Sequence, residues 1–283
     1  MKLANIQVNG KATLAVQKDG YLIDTQKLGG PNFDSIKSYI LASDDEKAQL
    51  KSLVEAVKPE ELGAFDYLPS VTSPEKIICV GLNYKAHILE MKRELPAYPV
   101  IFAKYPNVLA AHNETIPLPA VSDQMDYEAE LAFVIGKRAK NVKREQAMGY
   151  VAGFTIANDL SVRDYQRRTI QFLQGKSFDK SGPMGPVMVT TDEFSSYENE
   201  RMTLKLNGKT MQDTPLSDMV FPVEVLIEQI SEIMTLEPGD VILSGTPGGV
   251  GAGFNPPIYL KDGDEVEIKV SNLGVLKNKF KKA

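Results

Sequence analysis

The sequence predicts an α+β fold that is mainly β, with a small α/β domain at its N-terminus. Three observations predict it. Strand-like segments outnumber helical ones and do not alternate regularly with them, which excludes a doubly wound nucleotide-binding sheet. The apolar runs are short and bounded by Gly, Pro and Asn, as buried or half-buried strands are. A polar, Pro-containing stretch from Lys58 to Glu75 separates two regions of different texture. The expected division is 1–70 for the small unit and 71–283 for the large one.

Each element has its own signal. Leu3 to Val8, Thr13 to Val16 and Tyr21 to Asp24 read as strands separated by Gly and Lys turns. Two helical stretches follow. The second starts at Ser43, with Glu46 three residues on as a capping box, and Leu50, Leu53, Val54 and Val57 recur at helical spacing. In the large unit, Lys76 to Gly81 carries the apolar run IICV, a buried strand. Met125 to Gly136 and Tyr150 to Ala157 also read as strands. Met202 to Leu206 runs into Asn207-Gly208, a hairpin signal. Val223, Leu226, Ile227, Ile230 and Ile233 form the apolar stripe of one helix. Pro238-Gly239-Asp240 turns into the strand Val241 to Leu243, and Val266, Ile268 and Val270 alternate near the C-terminus.

Composition narrows the function. Of the 283 residues, 32 are Lys or Arg and 37 are Asp or Glu, a net charge of −5. That balance gives no electrostatic reason to expect nucleic acid or an anionic membrane as partner. No apolar run approaches the ~20 residues of a membrane helix. MKLANIQVNG has no apolar core of signal-peptide length, and the single cysteine cannot form an internal disulfide. A cytoplasmic protein is the expectation. With only two histidines, His87 and His112, a site of three imidazoles is excluded.

The most informative segment is Asp126-Tyr127-Glu128-Ala129-Glu130-Leu131-Ala132. On a strand, residues two apart share a face, so Glu128 and Glu130 fall together inside an apolar run. Paired carboxylates repel and are costly to desolvate unless a cation offsets both. A solvated edge strand is the other reading. Asp159 follows the strand-like GFTIAN and suits either a helix cap or a site acid. Three carboxylates form a hard oxygen set that favours Mg²⁺, Mn²⁺ or Ca²⁺ over zinc. His87 and Glu90 stand three apart, so on a helix the carboxylate can orient the imidazole as a general base; a surface contact is the alternative. Lys176 sits in a Gly-flanked turn, where it is either solvated or placed to hold an anionic substrate. His112 lies in a polar loop and reads as structural, and Cys79 reads as an inert core thiol.

The run Ser244 to Gly253 is the densest in glycine. It lacks a Gly-Lys-Ser/Thr ending, and Asn255-Pro256-Pro257 stops any following helix, so it is not a phosphate loop. It suits close approach of backbone amides to a small anion. No Gly-x-Ser-x-Gly nucleophile elbow is present.

Six stretches together resemble the fumarylacetoacetate hydrolase family, bacterial acylpyruvase or 2-oxo-acid-cleaving type. They are KIICVGLNYKAHILEM (76–91), MDYEAELAFVIGKRAK (125–140), GYVAGFTIANDLSVRDYQ (149–166), GKSFDKSGPMGP (175–186), LNGKTMQDTPLSDMVFPV (206–223) and LEPGDVILSGTPGGVG (236–251). They occur in the family's order and span nearly all of 71–283. The first 70 residues resemble the variable N-terminal extension of longer bacterial members.

The resemblance implies a mixed β-roll or sandwich catalytic domain, a homodimer, and Mg²⁺ or Mn²⁺, with Ca²⁺ able to substitute without activity. It implies that Glu128, Glu130 and Asp159 hold the metal and that His87, Glu90 and Lys176 are catalytic. Arg163, Gln166 and Thr246 match positions lining the substrate site. The expected substrate is a small 2-oxo or 2,4-dioxo acid. The reaction expected first is hydrolysis of a 2,4-dioxo acid of acylpyruvate or fumarylpyruvate type through a metal-stabilised pyruvate enolate. His87, backed by Glu90, would activate the water, and their segment would close over the substrate as a short helix. Oxaloacetate-type decarboxylation, or isomerisation or dehydration of a related 2-oxo acid, uses the same platform. A small-acid-binding scaffold without activity is the non-enzyme alternative.

Overall fold

The computed structural model describes residues 1–90 and 94–282, the side chains of His87 and Glu90 excepted. The chain begins with β1 (Lys2–Val8), β2 (Lys11–Lys18) and β3 (Tyr21–Asp24), then α1 (Ile36–Leu41), α2 (Asp44–Ala56) and β4 (Asp66–Tyr67). Next come β5 (Ile77–Gly81), α3 (Lys85–Glu90), β6 (Val100–Lys104), β7 (Leu109–Ala110) and β8 (Thr115–Leu118). The middle carries β9 (Met125–Asp126), β10 (Ala129–Ile135), β11 (Val151–Asn158), β12 (Ser161–Val162), α4 (Arg163–Gln166), α5 (Leu173–Lys176) and β13 (Gly182–Thr190). β14 (Arg201–Leu206), β15 (Lys209–Pro215), α6 (Val223–Ile233), β16 (Val241–Leu243), β17 (Glu265–Val270) and β18 (Gly274–Lys282) complete it.

The strands form two main sheets. The larger runs β3-β2-β1-β13-β11-β10-β16-β5-β6, with β4 added to β1 and β7 to β13. The smaller runs β15-β14-β17-β18-β8. Most pairings are antiparallel; β16 with β5, β13 with β7 and β18 with β8 are parallel. The small sheet packs on the large one through β10 with β14 and β13 with β18. Alternation along β10 explains why both faces of the large sheet are buried. Leu131, Phe133 and Ile135 enter the core under the small sheet and α6, whereas Ala132 and Val134 enter a second core beneath α1 and α2.

Local signals account for the elements. The Ser43–Glu46 capping box starts α2 in both directions, side chain to backbone and back. Asn207 (φ 50) and Gly208 (φ 80) both take the left-handed backbone that a tight hairpin between β14 and β15 requires. The polar stretch from Lys58 to Glu75 is not wholly a linker: Asp66 and Tyr67 pair with Gln7 and Ile6 of β1. The expected boundary at 70/71 falls between β4 and β5, and the large sheet runs across it, since Lys2 and Leu3 pair with Val189 and Met188 of β13.

Candidate active site

Strand register brings the three carboxylates together. β10 and β11 pair antiparallel, with Ala129 opposite Asn158 and Glu130 opposite Ala157. That register sets Glu128, one residue before β10, beside Asp159, one residue after β11. The Asp159 N–H donates to the Glu128 carbonyl at 2.9 Å. Glu130 then follows on the same side, and one oxygen from each of Glu128, Glu130 and Asp159 lies within 4.8 Å of the others. All three are buried.

The single strand expected over 125–136 is corrected here: it breaks at Tyr127 and Glu128. β9 leaves to pair with β12, Ser161 opposite Asp126. The backbone N–H groups released at the break find side chains instead. Tyr127 N donates to its neighbour Asp126 at 2.8 Å, and Glu128 N to Asn158 Oδ1 at 3.0 Å. Polar side chains thus replace the ladder where the backbone turns to present Glu128.

Buried cations offset the buried acids. Lys176, at the end of α5, lies 2.7 Å from both Glu128 Oε2 and Asp159 Oδ2. Lys104, at the end of β6, donates to Asp159 Oδ1 at 2.5 Å and to the Ser181 carbonyl at 2.7 Å. Arg163, opening α4, places Nη1 2.8 Å from Glu128 Oε1, while Nε and Nη2 meet Asp126 Oδ2 at 2.8 and 2.7 Å. Its Nη1 also donates to Gln166 Oε1 at 2.9 Å. Burial pushes the Glu130 carboxyl well above the ordinary carboxylate range, and the charges of Asp159 and Glu128 add to this. Desolvation works against the Lys176 ammonium, yet Asp159 and Glu128 outweigh it and hold the lysine above its ordinary pKa. Lys176 is therefore a fixed positive charge. Arg163 behaves alike: desolvation opposes its charge, and Asp126 and Glu128 outweigh it.

The glycine-rich loop does receive carboxyl groups, and they are the protein's own. Gly245 N donates to Glu130 Oε2 at 2.7 Å, and Gly251 N and Ala252 N donate to the two Asp126 oxygens at 2.8 and 2.9 Å. Gly249 must be glycine. Its φ is +95°, and a Cβ there would stand 2.0 Å from the Met211 carbonyl. Gln212 ties the loop to the carboxylates: Oε1 accepts from Ala129 N at 2.9 Å, and Nε2 donates to Thr246 Oγ1 and the Pro247 carbonyl, each at 2.9 Å.

Beside this cluster opens a cavity of about 440 Å³, whose wall includes Glu128, Arg163, Gln166, Arg167, Lys176 and Thr246. The structure therefore brings Glu128, Glu130, Asp159, Lys176, Arg163, Gln166 and Thr246 to one place. Gly81 and Leu82, which lead into α3, line the same cavity. α3 carries His87 and Glu90. Their side chains lie outside the described residues, as do Met91 to Arg93 of the expected closing segment. Sequence reasoning missed Lys104, Asp126 and Gln212 as members of the network. Asp126 and Gln212 stand inside stretches already singled out. Lys104 closes the apolar strand VIFAK, where a charge at a strand end reads as ordinary. Cys79 is buried, and burial, with Asp159 nearby, pushes its thiol well above the usual range, as an inert core thiol requires.

The triad is a hard, all-oxygen donor set suited to a divalent ion such as Mg²⁺ or Mn²⁺. The Lys176 ammonium already bridges two of its members, so the cluster is built to hold positive charge between Glu128 and Asp159.

These features define a mainly β fold with a buried carboxylate triad, one member of which, Glu128, lines a cavity. The family described as fumarylacetoacetate (FAA) hydrolase C-terminal matches residues 76–281, and the chain belongs to that family. It is 45% identical over 215 residues to the mitochondrial oxaloacetate tautomerase FAHD2A of Bos taurus, covering 75% of this chain and 68% of that one. It is 39% identical over 281 residues to the oxaloacetate tautomerase YisK of Bacillus subtilis, covering 93% of each. Among solved structures, the fumarylacetoacetate hydrolase of Exiguobacterium antarcticum superposes with a TM-score of 0.87 at 32% identity, covering all of both chains. A maleylpyruvate hydrolase from Sphingobium sp. SYK-6, in complex with manganese(II) and pyruvate, superposes with a TM-score of 0.84 at 25% identity over all of both chains.

Proposed function

We propose that the chain catalyses keto–enol proton transfer on a small 2-oxo acid of the oxaloacetate type. The observation that carries this reading is the buried triad Glu128, Glu130 and Asp159 beside a cavity whose wall also holds Arg163 and Lys176. The oxaloacetate tautomerases related to it at 39 and 45% identity support the reaction class. Glu128, Glu130 and Asp159 are the residues that would hold Mg²⁺ or Mn²⁺, supplying Lewis-acid charge to the 2-oxo oxygen.

The chain's own residues do the rest. Lys176, kept cationic by its surroundings, holds positive charge at the carboxylate or 2-oxo oxygen of the substrate. Gln166 and Thr246 present polar side chains to the cavity and orient the substrate. Arg163 braces Glu128 and Gln166. The C3–H bond breaks, its electron pair forms the C2–C3 double bond, and the 2-oxo oxygen takes up the charge and then a proton. His87 is the base for the C3 proton in this reading, and Glu90, three residues on along α3, orients it. A homodimer remains part of the proposal.

Hydrolysis of a 2,4-dioxo acid, with His87 activating water, is the second reading; the likeness to the maleylpyruvate hydrolase favours it. One assay separates them. Mn²⁺-loaded protein is given oxaloacetate in its enol form, or acetylpyruvate, and ultraviolet absorbance is followed. Accelerated ketonisation of oxaloacetate with acetylpyruvate intact is the expected result. Loss of acetylpyruvate to pyruvate and acetate selects hydrolysis, and no acceleration of either over buffer with Mn²⁺ removes both.

A further inference from the structure

The cavity wall holds three described cations, and two are already spent. Arg163 is buried and engaged on all three nitrogens by Asp126, Glu128 and Gln166. Lys176 is buried between Glu128 and Asp159. Arg167 is different. It follows α4, its backbone N–H closes the turn onto the Arg163 carbonyl at 3.1 Å, and so it stands four residues after Arg163 on the same helical side. Its side chain is exposed and lines the cavity, and no carboxylate or hydrogen-bond acceptor among the described residues holds its guanidinium. The next residue, Arg168, has a separate role: its guanidinium lies 3.3 Å from the centre of the Tyr165 ring.

We infer that Arg167 is the specificity-determining residue that receives the second carboxylate of a diacid substrate. The inference rests on the 2-oxo acid reading above and names the substrate class within it. The triad and Lys176 serve the 2-oxo acid end, which mono- and diacids share. One helical turn away, a free guanidinium faces the same cavity, where the far carboxylate of a four-carbon diacid would lie. A guanidinium matches a carboxylate with two parallel N–H donors, which a lone lysine cannot do. A monoacid leaves Arg167 in water and gains nothing from it.

The test uses two inert ligands that differ by one carboxylate. (S)-Malate and (S)-lactate are the 2-hydroxy analogues of oxaloacetate and pyruvate and cannot enolise. Calorimetry on Mn²⁺-loaded protein gives the affinity of each for the wild type, Arg167→Gln, Arg167→Lys and Arg168→Gln. The wild type is expected to prefer malate. Arg167→Gln should weaken malate about tenfold, the low end for a charge-assisted hydrogen bond because the site is wet, and leave lactate within about twofold. Arg167→Lys should recover part of the loss, and Arg168→Gln should behave as wild type. A wild type without preference for malate, an Arg167→Gln variant with unchanged malate affinity, or an equal loss for both ligands overturns the inference. Failure of the reaction proposal looks different: a protein that discriminates malate through Arg167 yet never tautomerises oxaloacetate keeps this site and loses only that activity.

Discussion

Lys176 and Arg163 both bind Glu128, and of the three triad acids it is the one that lines the cavity. Glu128→Gln keeps its shape and removes its charge. Mn²⁺ affinity, measured by calorimetry, should fall at least ~10-fold, and turnover should fall with it; unchanged affinity would take Glu128 out of the donor set. Lys104 predicts a different outcome, because it meets Asp159 on the oxygen Lys176 does not use. Lys104→Met leaves Asp159 buried with one cation fewer, and urea unfolding of the metal-free protein should show a loss of about 3 kcal/mol. At this scale the sequence was informative wherever spacing carries geometry. Glu128 and Glu130 were legible as a pair because strands repeat every two residues. The commitment of Arg163 to Asp126 was not, because it joins residues 37 apart through a fold that no periodicity encodes.

Elements were legible where their signals are local. The Ser43 cap and the Asn207-Gly208 hairpin stand where the sequence put them, and the stripe of α6 does so through Val223, Leu226, Ile227 and Ile230, while Ile233 at the end of the helix is exposed. The break between β9 and β10 was not legible. It depends on Asn158 replacing a ladder partner for Glu128 N, and that partner arrives from another strand. His112 shows how a loop is held between elements. Its ring stands edge-to-face on Tyr67 of β4 at 4.9 Å, and its Nδ1 accepts from Lys277 N of β18 at 3.1 Å. Burial first, then the Lys277 charge, lowers its pKa from 6.5 to about 4. Between those values the unfolded chain binds more protons than the folded one, so its contribution is complete above pH 6.5 and is lost as pH falls toward 4. Denaturant midpoints should therefore drop between pH 7 and pH 4.5, and His112→Gln should flatten that drop. An identical slope in the variant would contradict this role.

Across the whole molecule, the N-terminal unit and the rest share both a sheet and a core. Leu3, Leu14 and Val16 pack in the same cluster as Ala132, Val134, Met184 and Met188. We propose 70/71 as a boundary between units that are distinct in sequence and joined in packing. Residues 71–283 alone would expose the β13 edge that β1 covers, together with that apolar face. They should unfold at lower temperature than the full chain and scatter light at micromolar concentration; equal thermal stability would contradict the shared core. The sequence showed the change in texture at this boundary but not the pairing across it, since Lys2 and Val189 meet only through long-range topology. The same topology gathers Asp126, Glu128, Glu130 and Asp159 with Lys104, Arg163 and Lys176 in one cluster, of which Glu128, Arg163 and Lys176 line the cavity. We propose that this cluster holds a divalent ion that the reaction needs. The most direct test is titration of Mn²⁺ into chelator-stripped protein while metal occupancy and oxaloacetate ketonisation are followed together. The stripped protein should show no acceleration, and the rate should rise in step with occupancy to one ion per chain. Full activity in the stripped protein, or Mn²⁺ bound without any gain in rate, would contradict it.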